Sequence, residues 1–347
     1  SKHRDMTNAG DNDEFYVPGL MDLSAYSLER TEADSAWDSF VEKSPQGTLF
    51  VQSEFIQATG LSSSLWYCRK NAETMGAVAL VESADGIDCI HSGLLVYSGV
   101  LFRPDDPKQN PAQIFSEQFR VTSSIIRDLA MRYRRVEMAL HHSFADLRPF
   151  LWHNYGSDGP HFDISLRYTS LIDLRGVDAD PVQENTAYLA CNKSRRQDIR
   201  YAQKAGIETT EEYDRGLFEN LYRRTFEAQG IMVPEPELGS ILAATDRLNE
   251  NGRLRMYRSQ TPGYDVGSVA LFGIDSKRAY YLYGANNPDL RSGYTGTAVL
   301  WDAFRDLARR GVEEADLEGI NSPKRGYFKL SFGGTITPYY IARLGQQ

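Results

Sequence analysis

Cysteine is scarce in this chain of 347 residues: Cys68, Cys89 and Cys191 are odd in number and widely spaced. That excludes a disulfide framework and any paired-cysteine zinc motif, and it points to a reducing, cytoplasmic setting. No apolar run is long enough for a membrane span, so no integral membrane segment is expected, and no signal-peptide core opens the sequence. Histidine is also sparse, at six residues. The pair His141-His142 invites a metal reading, but neighbours on a strand point to opposite faces and would not chelate together; no metal site is expected. Positive charge is in deficit. A net charge of −9 excludes broad, non-specific nucleic-acid binding while leaving room for a local basic patch. What remains, 41% hydrophobic and 24% charged, is the composition of a soluble globular protein, with length for two ordinary domains.

The order of patterns along the chain repeats. After a polar start, expected to be a disordered tail over residues 1–20, Trp37, Phe40 and Val41 fit one helical face and Ser44-Pro45-Gln46-Gly47 reads as a turn. Gly76–Val81 and Ile87–His91 read as strands around Ala84-Asp85-Gly86, a hairpin signal. Ile125, Ile126, Leu129, Ala130 and Tyr133 mark an amphipathic helix, and Val136–Leu140 a strand. Later, Gly267-Ser-Val-Ala-Leu271 parallels Gly76-Ala-Val-Ala-Leu80, and the turn at Asp275–Arg278 leads into Ala279–Tyr283. A helix with Leu300, Ala303, Phe304 and Leu307 follows, and Arg305-Asp-Leu-Ala308 within it repeats Arg127-Asp-Leu-Ala130. The strand Glu314–Leu317 closes the series. Hairpin, loop, helix, strand thus occurs twice, which reads as an internal duplication. The alternative is a single mixed α/β chain with coincidental matches.

Two stretches carry chemistry. Asn192–Gly206 is the most basic, with Lys193, Arg195, Arg196, Arg200 and Lys204 against the single acid Asp198. Arg196, Arg200 and Lys204 recur every four residues and share one helical face. Such a row can hold phosphate through paired guanidinium hydrogen bonds, or be a solvated face. The second stretch runs from Asp316 to Gly334. It places Lys329 beside Tyr327 and Phe328, with Asp316 and Glu318 upstream. Aromatic neighbours suggest a partly buried ammonium, which needs a partner; the plainer reading is an exposed lysine on an edge strand. Strand alternation places Tyr281 and Tyr283 on one face and Tyr280 on the other.

The wording of these stretches resembles the Fem-type transferases, peptidoglycan-bridge aminoacyltransferases and their relatives built from two GNAT-like domains. Asp316-x-x-Gly319, then Gly326-Tyr-Phe-Lys-x-x-Phe-Gly-Gly334, matches their C-terminal signature. Ser194-x-Arg196-x-x-Ile199-Arg200-x-Ala202-x-x-x-Gly206 matches their basic helix, and Gly47 to Ser53, with Gln52 and Ser53, their entry segment. The lysine that family members binding UDP-linked precursors often carry just after this point is absent.

The resemblance implies an α/β fold with mixed sheets, two tandem GNAT-like domains and a cleft between them. The expected spans are residues 21–160 and 161–347, with the C-terminal strand returning to the first domain. It implies acyl or aminoacyl transfer onto an amine of a cell-envelope or polysaccharide precursor, the acceptor being a nucleotide- or lipid-linked sugar or peptide. Lys329 and Phe328 then lie at the transfer centre, with Asp316 or Glu318 as base. Arg196, Arg200, Lys204, Gln52, Tyr281 and Tyr283 face the acceptor. A GNAT pyrophosphate loop would fall at Arg291–Thr297, where only Gly296 keeps the spacing; Arg291, Gly293 and Gly296 are the donor candidates. No tightly bound cofactor is implied, and the donor stays open between aminoacyl-tRNA and acyl-CoA. Two other readings stand beside this one: an acetyl-CoA-dependent N-acetyltransferase of an amino sugar, and a non-catalytic module binding a phosphorylated glycan.

Overall fold

In the computed structural model the described residues are 22–290 and 293–345. The expected tail over residues 1–20 and the donor candidate Arg291 lie outside them.

The first half contributes six strands: β1 (Tyr26–Thr31), β2 (Ser63–Lys70), β3 (Glu73–Glu82), β4 (Asp88–Ile90), β5 (Gly99–Phe102) and β6 (Arg135–Leu140). The second contributes β7 (Phe162–Asp173), β8 (Glu208–Glu211), β9 (Leu254–Gln260), β10 (Val266–Ile274), β11 (Ala279–Asn286), β12 (Glu314–Asp316) and β13 (Thr335–Leu344). All join one sheet in the order β1-β2-β3-β4-β6-β13-β7-β12-β11-β10-β9-β8, with β5 paired to β3 off this path. Read from its two edges, the sheet presents the same sequence of strands twice.

The duplication extends to strand direction. In the first half β4 runs parallel to β6, with Cys89 opposite Val136. In the second, β11 runs parallel to β12, with Tyr280 opposite Asp316. A parallel pair needs a crossover, and each has a helix for it: Pro111–Arg132 and Thr295–Arg309. Gly76–Leu80 lies in β3, between β2 and β5, and Gly267–Leu271 in β10, between β9 and β11; both segments are paired antiparallel on both sides. The repeated Arg-Asp-Leu-Ala tetrads fall in the two crossover helices. Between the halves, β13 pairs with β7 from Thr335 opposite Leu171 to Leu344 opposite Phe162, and also with β6. The last strand therefore crosses back to close the first half.

Four cores occur among the described residues, one of them around Trp37, Val41 and Leu65 on the other face of β2 and β3; the other three position the site. One lies under the first crossover helix, with Val78, Ile125, Leu129 and Met138. Another lies under the second, with Phe272, Leu300, Phe304 and Ala315. The third is shared across the seam, where Phe50 and Phe55 of the first half meet Leu242, Leu271 and Tyr280 of the second. Buried polar contacts pin the same seam. Leu49 N–H donates to Asp275 Oδ2 at 2.9 Å, Lys277 Nζ to the Ser44 carbonyl at 2.7 Å, and Tyr97 OH to Asp316 Oδ2 at 2.7 Å. Removing one partner of such a buried bond costs about 1–3 kcal/mol.

Two sequence expectations are corrected here. Tyr281 and Tyr283 do not share a face. The β10–β11 register passes from Leu271 opposite Tyr283 to Phe272 opposite Tyr281, so Leu282 is an extra residue in a bulge. The bulge turns Tyr283 into the seam core with Tyr280, while Tyr281 packs with Phe272 on the other side. His141 and His142 do not diverge either. β6 ends at Leu140, alternation stops there, and the two rings lie 4.0 Å apart. No cluster of three or more metal-ligating side chains occurs among the described residues.

Candidate active site

The chain leaves β12 at Asp316 and runs along β7. Leu317 N–H donates to the Ser170 carbonyl and Ile320 N–H to that of Tyr168, while Asn321 Oδ1 accepts from Tyr168 N–H. Pinned this way, Glu318 sits at φ 57°, a left-handed conformation uncommon for a side chain other than glycine. Such positions cost on the order of 1–3 kcal/mol and cluster at functional sites.

Asp316 and Glu318 divide the work implied by their sequence spacing. Asp316 is fully buried and its carboxylate accepts three hydrogen bonds, from Thr169 Oγ1 at 2.6 Å, Tyr97 OH at 2.7 Å and Glu318 N–H at 2.8 Å. Burial raises its pKa against those bonds. A carboxylate so occupied anchors the loop. Glu318 is the opposite case. Its Oε1 is sealed from solvent and has no hydrogen-bond partner among the described residues. Burial pushes this carboxyl well above the ordinary carboxylate range, the nearby charge of Asp316 adds to the effect, and the Lys329 ammonium opposes it.

Glu318 lines a cavity of about 70 Å³ in the seam. Phe50, Phe55 and Leu94 come from the first half, Leu248, Leu282 and Tyr283 from the second, and Glu318 is the sole charged group in the lining. The bulge at Leu282 is what turns both Leu282 and Tyr283 toward it. A larger cavity, about 520 Å³, opens on the outside of the first half. Its arginines are already engaged, Arg127 with Asp128 and Arg134 with Asp88. The small cavity differs in that a carboxyl oxygen in its lining, Glu318 Oε1, is buried without a hydrogen-bond partner among the described residues.

Lys329 is placed by a short helix, Pro323–Leu330. The sequence signals of glycine and proline masked this helix; Pro323 occupies its first turn, where a missing N–H is harmless. Gly326 permits close packing, since a Cβ there would lie 2.9 Å from the Ile320 carbonyl oxygen. Lys329 Nζ donates to the Gly319 carbonyl at 3.1 Å and stands 5.4 Å from the centre of the Tyr281 ring. An ammonium has three donors; these contacts leave two N–H bonds uncommitted among the described residues. Burial lowers the Lys329 pKa and the Glu318 charge opposes that. Lys329 does not itself line the small cavity; it stands behind Gly319, next to Glu318.

The remaining candidates are scattered. Gln52 lines a separate polar cavity of about 230 Å³ with Asp38, Glu54 and Arg253. On the basic helix, Lys193–Lys204, Arg200 is exposed and donates to Tyr188 OH at 2.7 Å, Lys204 is exposed, and Arg196 buries its Nε without a partner. None of the three lines the Glu318 cavity. Gly293 and Gly296 flank the start of helix Thr295–Arg309, where Tyr294 provides no side-chain cap.

Sequence reasoning missed Arg195 and Tyr97. A signal existed for Arg195: it shares a helical face with Ile199 and Ala202, both buried, and not with Arg196 and Arg200. None existed for Tyr97, whose partner Asp316 is 219 residues away.

Residues 192–329 match the family model of an acetyltransferase (GNAT) domain. The whole fold is similar to the crystal structure of FemX, with a TM-score of 0.60, 13% identity, and 90% of this chain and 96% of that one covered. It is also similar to a conserved protein of unknown function from Bacteroides thetaiotaomicron, with a TM-score of 0.58, 10% identity, and 92% and 100% covered. A tandem GNAT protein from the clavulanic acid biosynthesis pathway gives a TM-score of 0.53, 10% identity, and 92% and 98% covered. At these identities the likeness is one of fold: the chain has the mixed α/β fold of tandem GNAT proteins. No curated protein matches it.

Proposed function

From the tandem GNAT fold and the seam cavity, we propose that this protein transfers an acyl or aminoacyl group from a carrier to a primary amine, forming an amide. The observation that carries the reading is Glu318, which lines an apolar cavity with its Oε1 sealed from solvent and without a hydrogen-bond partner among the described residues, while the Lys329 ammonium is held at the neighbouring Gly319 carbonyl. Burial raises the Glu318 pKa, which suits a general base better than an ordinary carboxylate would.

The step balances as follows. The acceptor ammonium gives one proton to the Glu318 carboxylate. The freed nitrogen lone pair forms the C–N bond to the donor carbonyl, and its electrons move onto oxygen. The Lys329 ammonium stabilises that oxyanion. The bond to the carrier then breaks, the carrier leaves with the electron pair and takes up the second proton, which the nitrogen loses on becoming an amide, and Glu318 returns the first proton to solvent. A non-catalytic binding module would gain nothing from a strained, unpaired buried carboxyl, which weakens the fold.

The donor reading we favour is an acyl-CoA. Support comes from the acetyltransferase family model and from the uncapped start of helix Thr295–Arg309, whose N–H groups and dipole suit an anion. Aminoacyl-tRNA is the alternative donor. For the acceptor, the exposed Arg200 and Lys204 suit a phosphate-bearing, nucleotide- or lipid-linked sugar or peptide of the cell envelope or of a polysaccharide. The test is single-turnover transfer from acetyl-CoA and from alanyl-tRNA to a panel of amines. Wild-type amide formation that disappears in Glu318→Gln supports the reading; a Glu318→Gln protein that keeps the wild-type rate ends it.

A further inference from the structure

Arg195 stands where three elements meet. It points from the basic helix into the protein, with 11% of its side chain exposed. Nε donates to Ser331 Oγ at 2.8 Å; Nη1 donates to Thr297 Oγ1 and to Asp198 Oδ2 at 3.2 Å. The guanidinium carbon lies 4.7 Å from the Phe328 ring centre and 5.1 Å from that of Phe332. Ser331 closes the Lys329 helix, and its Oγ donates in turn to the Phe328 carbonyl. Thr297 sits in the first turn of helix Thr295–Arg309.

The Lys329 helix has little else to hold it. Lys324, Arg325 and Tyr327 are exposed, and Gly326 is its one buried residue. Its far end is tied down by the Phe328–Phe332 contact, by the Asn192 N–H to Ser331 carbonyl bond, and by Arg195. Just beyond, Gly333 at φ 79° passes so close to Ala190 that a Cβ would lie 2.3 Å from its carbonyl oxygen.

We propose that Arg195 is a positioning residue: its planar fork clamps the end of the Lys329 helix to the first turn of helix Thr295–Arg309, and so holds the Lys329 ammonium beside Glu318. The inference rests on the acyl-transfer reading for its kinetic consequence, but not for its geometric one. With the clamp gone, the short helix can turn and slide, and the ammonium drifts from Glu318. Arg195→Lys keeps the charge, yet a point-like ammonium cannot bond Ser331 and Thr297 while stacking on two rings.

The experiment uses full-length protein with carboxyl-13C glutamate, the Glu318 signal being assigned by its loss in Glu318→Gln. Its NMR titration is followed in wild type, Lys329→Met, Arg195→Ala, Arg195→Lys and the gentler Ser331→Ala, and kcat and KM are measured on the same samples. Lys329→Met moves the Glu318 titration to higher pH, because a stabilising cation is lost. Arg195→Ala and Arg195→Lys are expected to move it the same way, and Ser331→Ala by less. The kcat of Arg195→Ala should fall about 10- to 100-fold, the scale of a misplacement near 1 Å, with acceptor KM little changed. A Glu318 titration that moves in Lys329→Met but stays put in Arg195→Lys and Ser331→Ala overturns the inference and leaves the acyl-transfer reading intact. If no donor supports transfer in wild type, that reading falls, while the titration shifts still decide whether Arg195 positions Lys329.

Discussion

In the first half, β6 ends at Leu140 and the chain passes to His141 and His142. In the second, the equivalent strand β12 ends at Asp316 and the chain passes to Leu317 and Glu318. Both exits reach the seam and both bury titratable groups, yet they settle differently. Burial pushes His141 well below its ordinary pKa and His142 down to about 4, so both imidazoles are uncharged at neutral pH. His141 Nδ1 bonds Ser143 Oγ at 2.8 Å, and its ring packs edge-on to Tyr97. The first exit brings neutral rings to the seam, with His141 hydrogen-bonded and His142 Nε2 buried without a partner among the described residues. The second keeps a carboxyl whose pKa burial raises and, at the adjacent Gly319 carbonyl, an ammonium whose pKa burial lowers.

The crossover helices differ in the same sense. Helix Pro111–Arg132 begins with a complete capping box: Asn110 Oδ1 accepts from Gln113 N–H at 2.9 Å, and Gln113 Oε1 from Asn110 N–H at 2.9 Å. Helix Thr295–Arg309 begins without a side-chain cap. One helix start carries a side-chain cap and the other carries none. Under the proposed function, the first copy of the repeated scaffold serves stability and the second chemistry, and the strand exits and helix starts are where the two copies differ.

The largest effect should separate the two exits. Glu318→Gln is expected to lower turnover about 100- to 10,000-fold, the range of a lost general base. His142→Gln, at the other exit, should leave turnover near the wild-type rate. Steady-state assays of both proteins check this, and equal losses would erase the distinction between the halves. Next in size, Lys329→Met should lower single-turnover transfer about 100- to 1000-fold while acceptor binding by calorimetry holds. Lys329→Arg should recover part of that, since a guanidinium cannot occupy the same point.

The helix starts can be exchanged. Tyr294→Asp installs in the second helix the kind of cap the first already has. It should raise the donor KM about tenfold, the equivalent of 1.4 kcal/mol, and raise Tm slightly. Asn110→Ala should cost about 1 kcal/mol of stability by the loss of a cap and leave donor KM alone. Arg200→Ala should give the smallest change, a modest loss of affinity for phosphate-bearing acceptors that shrinks as salt rises. Calorimetry at two salt concentrations would detect it.

Much of this comparison was legible in the chain itself. The repeated Gly-x-Val-Ala-Leu and Arg-Asp-Leu-Ala segments mark equivalent strands and helices because the same local packing recurs. The exits were not legible. Alternation predicts faces only while a strand lasts, so His141 and His142 were misread one step beyond β6. A single bulged residue, Leu282, reversed the face of Tyr283. Asp316 and Glu318 look alike two residues apart. What separates the hydrogen-bonded Asp316 from Glu318 is Thr169 and Tyr97, brought in from 147 and 219 residues away. The same distance hid Arg195, whose partners Thr297 and Ser331 lie on other elements.

Stability should carry the same signature. A carboxyl whose folded pKa is raised adds stability below its unfolded pKa, and that stability is lost as pH rises through the folded value. Glu318→Gln should therefore raise Tm at pH 8 and not at pH 4, as expected where function is held at some expense of stability.

In the proposed transfer Glu318 acts as a base with a raised pKa. The pH dependence of kcat/KM for acyl transfer tests it most directly, in wild type and in Lys329→Met. Transfer needs the carboxylate, so the rate should rise with pH along an acid limb placed clearly above the ordinary glutamate value of about 4.3. Loss of the Lys329 cation should move that limb higher still, because a positive charge that favours the carboxylate is gone. A wild-type limb at the ordinary glutamate value, unmoved in Lys329→Met, would contradict the account.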